Sequence, residues 1–303
     1  MPLRGLLLYL SSHPGLRRWV ETSALTRRLS SRFIAGDRLE EALKACVRIK
    51  SEGISTTLDY LGENVHSLGE AAACRDMYLR TLRAMKEADI EPNVSLKLTQ
   101  FGLDLDEEAC EANVAMLVEY AASIGGFVRI DMESSAYTSR TIAMTTRLHE
   151  RFGSCGTVIQ AYLMRSAKDI EELNRQRVRV RLCKGAYLEP PAVAYPSKRS
   201  VDRNYLQLAA ALLAAGVYPA IATHDPKMIA GVRERASEYC DAPTRFEFQM
   251  LYGIRRDLQR TLVAQGYRLR LYVPFGEAWY PYFMRRLAER PANLLFLARN
   301  LWR

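Results

Sequence analysis

From Gly53 onward, short β-branched runs alternate with longer amphipathic stretches, and this constrains the fold more than any other feature of the chain. The predicted strands cover residues 54–60, 93–98, 127–132, 158–162, 178–183, 218–223, 245–249 and 268–273. Helix-patterned segments lie between them, for example at 69–88, 107–123, 136–151, 203–215, 228–239 and 257–265. Strands separated by helices pair in parallel, because each crossover returns the chain to the same end of the sheet. Eight such units in about 250 residues predict an α/β fold of the (β/α)8 type rather than an open doubly wound sheet. No G-x-G-x-x-G follows a predicted strand, so the usual dinucleotide fingerprint is absent. Pro226 opens a predicted helix, where its missing N–H costs nothing. Gly216 and Gly266 follow predicted helix ends, as C′ glycines do.

Composition narrows the partners. The 303 residues are 49 % hydrophobic and 25 % charged, which is ordinary for a globular chain. The six cysteines show no C-x-x-C spacing, which argues against a zinc ribbon or disulfide framework and fits a reducing compartment. A net charge of +9 points to nucleic acid, an anionic membrane surface or anionic ligands. No Lys/Arg run interleaved with aromatics occurs, so nucleic acid ranks last. No apolar run reaches the roughly 20 residues that span a bilayer. The run LLLYL at 6–10 is too short for a span and has no small-residue cleavage site behind it, so no signal peptide is expected.

Residues 1–50 have a different character. They contain no acid before Glu21 and are rich in Arg, Leu and Ser. Such a segment resembles a transit peptide, or an amphipathic arm that packs on the body or lies on a membrane surface. Residues 38–50 have helical periodicity. The expected division is an N-terminal helical arm at 1–50 and a barrel at 51–303.

In a barrel of this type the active site lies at the C-terminal ends of the strands. Those ends carry Lys97, Asp131 and Glu133, Gln160, Arg181 and Lys184, Thr223, His224 and Asp225, Glu247 and Gln249, and Tyr272. Singly, His224-Asp225 reads equally well as a helix cap and Glu247 as a core ion pair; a whole ring of polar ends is not needed for structure. After the last strand, a Pro-Gly turn leads into a helix on which Tyr282, Arg285 and Glu289 share one face. Arg286 lies about 100° round, so two guanidiniums can converge on one small anion, and their planar forks suit a carboxylate.

Three enzyme classes fit this set. A metal hydrolase wants several histidines at strand ends, and only His224 qualifies, since His13, His66 and His149 lie on the arm, in a loop and on a helix. A Schiff-base aldolase would use Lys97 or Lys184, whose amine would have to be desolvated. The third class has a phosphate-bearing cofactor and an anionic substrate. Lys184-Gly185-Ala186 lets the backbone approach a pyrophosphate closely, and Arg181 adds charge.

The strand ends also resemble a known family. SLKLTQ (95–100), RIDME (129–133), QAY (160–162), RLCKGAY (181–187), ATHD (222–225), FEFQMLYG (246–253) and YFMRRLAER (282–290) are similar, in order, to the motifs of proline dehydrogenase. The basic arm resembles that of the bacterial single-function enzymes. The resemblance implies a distorted (β/α)8 TIM barrel holding FAD. It implies oxidation of L-proline to Δ1-pyrroline-5-carboxylate by hydride transfer to flavin N5, the first step of proline catabolism. Electrons would pass to a membrane quinone, and a pyrroline-5-carboxylate dehydrogenase would be a metabolic partner. The implied location is the bacterial cytoplasm, peripherally on the inner membrane.

Carried over by position, Lys97, Arg285 and Arg286 would hold the proline carboxylate, and Asp131 and Arg181 match catalytic positions. Met132, Gln160, Arg181, Lys184, Gly185, Ala186, Thr223, His224 and Glu289 match flavin contacts, and Tyr187, Tyr272, Tyr282 and Leu251 match pocket walls. Cys183 stands where the family usually has Val, a near-isosteric change. Three cations on one carboxylate would fix the ring, and Arg181 would stabilise reduced, anionic flavin. Asp131 would either orient Lys97 or assist proton removal. The runner-up is a dehydrogenase for hydroxyproline. The related hydroxyproline enzymes have a small residue at the position of Tyr282, so Tyr282 favours proline. A barrel of another class, non-catalytic or Schiff-base, would share only the strand-end pattern.

Overall fold

The computed structural model describes residues 32–239, 242–280 and 282–284. Eight parallel strands close into a barrel in chain order. They are β1 (Ser55–Tyr60), β2 (Asn93–Leu96), β3 (Phe127–Ile130), β4 (Cys155–Gln160), β5 (Arg179–Cys183), β6 (Ala220–Ala222), β7 (Glu247–Leu251) and β8 (Arg268–Phe275). The barrel closes where β8 pairs with β1, from Ser55 opposite Arg270 to Tyr60 opposite Phe275. Closure leaves no edge strand to be protected.

Eight α-helices stand among the described residues: α1 (Leu39–Ser51), α2 (Leu68–Glu87), α3 (Glu107–Ser123), α4 (Thr138–Phe152), α5 (Ser166–Arg175), α6 (Lys198–Ala215), α7 (Pro226–Tyr239) and α8 (Arg256–Ala264). Helix α1 buries Leu39, Ala42, Ala45, Cys46 and Ile49 and packs on both β1 and β8. It thereby covers the seam where the barrel closes. Its first turn is fastened by Glu41, whose carboxylate accepts from the backbone N–H of Asp37 at 2.9 Å and of Arg38 at 3.1 Å.

Alternation along the strands separates two interiors. Outward residues such as Leu58, Val94, Leu96, Val128 and Ile130 are fully buried under the helices, beside Tyr78, Leu82, Met85, Tyr205 and Leu208. The inward residues are mostly polar: Thr57, Asp59, Ser95, Arg129, Arg181, Glu247, Gln249 and Arg270 are all buried. Hydrogen bonds between strands that are not neighbours prove that these side chains meet inside. Arg181 of β5, for example, donates to Ser95 of β2 at 2.9 Å. The lower part of the barrel is held by ions. Arg270 donates to both oxygens of Glu247, at 2.9 and 3.1 Å, and to the carbonyl of Thr56 at 2.9 Å. Burial works against the charge of Arg270, but Glu247 and Glu91 outweigh it and hold the guanidinium above its ordinary pKa. Glu247 therefore does not join the ring at the mouth as the sequence reading had it. It is the core ion pair that its burial requires.

Several boundaries differ from expectation for local reasons. Strand β4 begins at Cys155 because Gly156, which reads as a strand breaker, is needed there. A Cβ at Gly156 would lie 2.2 Å from the Arg179 carbonyl oxygen and 2.9 Å from Nη1 of Arg129. That guanidinium is itself buried and donates to the carbonyls of Thr157 at 3.0 Å and Arg179 at 2.6 Å. Helix α5 is polar enough to escape the periodicity, with only Ile170 and Leu173 as buried hydrophobics. Helix α6 starts earlier than predicted because Ser197 caps it, accepting from the N–H of Ser200 at 3.1 Å. Gly266 has φ +82, as a C′ glycine should, but Gly216 has φ −78 and is not left-handed. It is glycine for space: a Cβ there would lie 2.6 Å from the Leu212 carbonyl oxygen.

The glycine in β4 yields a direct check. Gly156→Ala should cost about 1–3 kcal/mol, the usual penalty of overpacking. Gly69→Ala should be neutral or stabilising by up to about 1 kcal/mol, since a helical alanine outdoes glycine, and the added Cβ meets nothing nearer than 3.8 Å. Thermal midpoints of the two variants should move in opposite directions or differ by several degrees.

Candidate active site

The alternation that points Thr57 and Ser95 inward also points Asp59, Lys97 and Asp131 inward, one step nearer the C-terminal mouth. Arg181 lies beneath them and is nearly closed off from solvent, 6 % exposed. Its guanidinium donates from Nη1 to Asp131 Oδ1 at 2.7 Å, from Nη2 to Ser95 Oγ at 2.9 Å, and from Nε to Gln249. Its Cζ also lies 5.3 Å from the centre of the Tyr272 ring. Gln249 in turn donates to Glu247, so the mouth is tied to the ion pair below it.

Asp131 is held at both oxygens, because the Tyr272 hydroxyl donates to Oδ2 at 3.0 Å. Burial pushes the Tyr272 phenol well above its ordinary pKa, and the charges of Asp131 and Asp59 push the same way. The phenol therefore remains a protonated donor. Lys97, 7 % exposed, sits just past the end of β2 in extended conformation, at the entry to a 3₁₀ turn over Leu98–Phe101. Its ammonium lies 3.6 Å from Asp59 Oδ1. Among the described residues the mouth thus gathers the cations Lys97 and Arg181, the carboxylates Asp59 and Asp131, and the Tyr272 phenol.

Glu133 has a fastening role. Its carboxylate accepts from the Thr99 N–H at 3.1 Å and the Thr99 hydroxyl at 2.7 Å, and its carbonyl accepts from Gln160 Nε2 at 2.8 Å. Burial pushes its carboxyl up, while the two Thr99 bonds oppose the shift. The segments after β2 and β3 and the end of β4 are joined through this one residue. Met132, next to it, is buried as well.

A second group collects at the ends of β5 and β6. The Lys184 ammonium bridges Asp202 and Asp225, the latter at 2.9 Å. Gly185 has φ +115, and a Cβ there would lie 2.3 Å from the Tyr162 ring. Only glycine lets the chain lie flat on that ring, an approach fixed by the Tyr162 N–H donating to the Lys184 carbonyl at 2.9 Å. Thr223 Oγ1 accepts from the Asp225 N–H at 3.1 Å. His224 Nε2 accepts from the Leu251 N–H at 2.9 Å, so in the neutral ring the proton sits on Nδ1. Ala186, Tyr187 and Leu251 are half-buried nearby along the same loops.

Of the residues expected at the site, Lys97, Asp131, Arg181 and Tyr272 come together in one cluster. Lys184, Gly185, Thr223 and His224 form the adjoining one. Tyr282 is buried, in a helical stretch whose Phe283 packs edge-on against Trp279 at 5.8 Å. Arg285, Arg286 and Glu289 lie outside the described residues. Asp59 was missed. It stands at the end of β1, the one strand whose end contributed nothing to the predicted ring. Its place two residues after Thr57 on the inward face was the available signal.

A family model described as Proline dehydrogenase matches residues 42–299. The chain is 40 % identical over 299 residues to Proline dehydrogenase 1 of Bacillus subtilis, a match covering 99 % of each chain. It is 41 % identical over 278 residues to Proline dehydrogenase of Deinococcus radiodurans, covering 90 % of each. Among solved structures it is similar to proline utilization A (PutA) from Bdellovibrio bacteriovorus inactivated by N-propargylglycine, with a TM-score of 0.81 and 26 % identity. That match covers 86 % of this chain and 32 % of the other, so this chain spans about a third of that protein's length. On its sequence, its fold and the motifs at its barrel mouth, the chain belongs to the proline dehydrogenase family.

Proposed function

We propose that the protein oxidises L-proline to Δ1-pyrroline-5-carboxylate, with FAD held at the barrel mouth. The observation that carries this reading is the cluster of buried Lys97 and Arg181 with half-buried Asp131 and Tyr272 at the strand ends of a proline dehydrogenase barrel. The donor chemistry of the adjoining cluster fits the cofactor. Gly185 leaves its backbone open to close approach, and Lys184 and Arg181 offer positive charge to a pyrophosphate. Asp202 and Asp225 already flank Lys184, so a phosphate would share that ammonium with them. Met132, Gln160, Arg181, Lys184, Gly185, Ala186, Thr223, His224 and Glu289 would hold the group. FAD supplies the two-electron acceptor for a hydride from the carbon beside the proline nitrogen.

The protein's share is orientation and charge. Lys97, Arg285 and Arg286 bind the carboxylate and so fix the ring. Arg181, locked by Ser95, Asp131 and Gln249, is a fixed cation that requires no reorganisation as charge develops. Asp131 has both oxygens occupied, by Arg181 and Tyr272, which suits it to orienting those groups rather than to accepting a proton. Tyr187, Leu251, Tyr272 and Tyr282 wall the pocket.

A place at the inner membrane, with a membrane quinone as final acceptor, agrees with the rim of the mouth. Leu188 is 63 % exposed, and Met164 and Val193 are exposed beside each other, the Met164 N–H donating to the Val193 carbonyl at 3.0 Å. Arg165, Lys168, Lys198 and Arg199 flank them on the surface. Among the described residues no helix is long and apolar enough to cross a membrane. A peripheral contact in the bacterial cytoplasm joins these facts. The cyclic imine product opens to an aldehyde in water, so a pyrroline-5-carboxylate dehydrogenase is the fitting metabolic partner.

Purified protein should show the visible bands of oxidised flavin, and L-proline should bleach them under anaerobic conditions. A folded protein that stays colourless after incubation with FAD would sink the reading. Tyr282→Ser should lower kcat/KM for proline and shrink the preference for proline over 4-hydroxyproline. An apolar wall alone rejects an added hydroxyl by about a hundred-fold at best, so the change in ratio should lie within that range. An unchanged ratio would return weight to the hydroxyproline alternative. Vesicles rich in anionic lipid should retain the protein at low salt and release it as salt rises. Leu188→Asp should weaken that retention, and equal retention at every salt concentration would exclude docking by charge.

A further inference from the structure

We propose that Asp59 is a positioning residue that keeps the Lys97 ammonium charged and aimed at the barrel mouth. The inference rests on the reading of Lys97 as a ligand for the substrate carboxylate. Asp59 is fully buried, and its Oδ1 lies 3.6 Å from the Lys97 nitrogen. The Tyr78 hydroxyl reaches Oδ1 at 3.3 Å, while Oδ2 has no hydrogen-bond donor in good geometry among the described residues. The Tyr272 phenol, which also acts on the Asp59 carboxyl, donates to Asp131.

This is a poor arrangement for stability alone. Two other ion pairs of the barrel make closer bonds: Arg270 with Glu247 at 2.9 and 3.1 Å, Arg181 with Asp131 at 2.7 Å. Burying a carboxylate with one oxygen unfilled is costly, and an apolar residue would pack the same space without that cost. Asp59 also faces other negative groups, Asp131 just past β3 and Glu63 in the loop after β1. Burial pushes its carboxyl above the ordinary value, and Lys97 pulls the other way. What the carboxylate supplies is a field. A lysine this deep tends to lose its proton unless a negative charge stands close by. Asp59 provides one from the wall side.

Four proteins test this: the wild type, Asp59→Asn, Lys97→Met and the double variant. Asp59→Asn keeps the side chain's shape and removes its charge. It should raise KM for L-proline about tenfold, the lower end of what a charge-assisted contact contributes, with a much smaller change in kcat. In the Lys97→Met background the same substitution should have almost no further effect on KM, since its route of action is gone. Acetylation of Lys97 by acetic anhydride, read by mass spectrometry, should be faster in Asp59→Asn than in the wild type, because only the neutral amine reacts. Flavin content and thermal midpoint report folding separately. Unchanged KM and unchanged acetylation in Asp59→Asn would overturn the proposal, as would an equal KM effect with or without Lys97. The wild type also decides alone: acetylation of Lys97 at neutral pH faster than that of exposed lysines, which are themselves charged, means that it is not held charged. If Lys97→Met leaves KM unchanged, the carboxylate reading of Lys97 falls, and the acetylation rates still judge Asp59.

Discussion

Arg181 is the point on which the interior depends. One guanidinium from β5 reaches β2, β3 and β7 through Ser95, Asp131 and Gln249, and lies against the ring of Tyr272 on β8. A barrel interior is usually filled by layers of branched aliphatic side chains. Here a cation replaces part of that filling. A cation can do so only if its donors are satisfied, because an unpaired buried charge costs far more than a methyl group gains. The polar residues on the facing strands meet that requirement.

The consequence runs downward as well as upward. Below Arg181, Gln249 passes to Glu247 and Glu247 to Arg270. Beside them Arg129 threads past Gly156 to two backbone carbonyls. Burial lowers the Arg129 pKa well below the ordinary guanidinium value, and the nearby charges of Arg181 and Arg179 add to the effect. The lower barrel is thus a frame of ions with little freedom to adjust. Above Arg181, Lys97 and Asp59 stand 3.6 Å apart, and Lys184 is shared between two carboxylates.

Family membership and the site support each other without being the same statement. The match to proline dehydrogenases covers nearly the whole chain. What makes it chemically informative is that the matched strand ends fall together in space. Asp131, Arg181 and Tyr272 are bonded to one another, and Lys97 lies in the same layer through Asp59.

Read alone, the sequence determined the fold class and named several residues that the barrel brings together at its mouth. Periodicity alternates between two and 3.6 over eight units, and only a closed or doubly wound parallel sheet accommodates that. Once the barrel is accepted, the strand ends are the site, so Lys97, Asp131, Arg181, Thr223 and Tyr272 could be named. Depth along a strand was not legible. Glu247 and Gln249 share a face, and only the closed barrel shows that the first pairs with Arg270 below while the second meets Arg181. Nor was steric need legible. Gly156 looks like a breaker, yet it is glycine because the Arg179 carbonyl oxygen of the neighbouring strand crowds the place of its Cβ. Asp59 escaped for the same reason. Its neighbours Lys97, Asp131 and Tyr78 come from other parts of the chain, and a charge pair across a barrel leaves no trace in local spacing. Local pattern encodes which face of an element is buried; what that face meets is decided when the strands close.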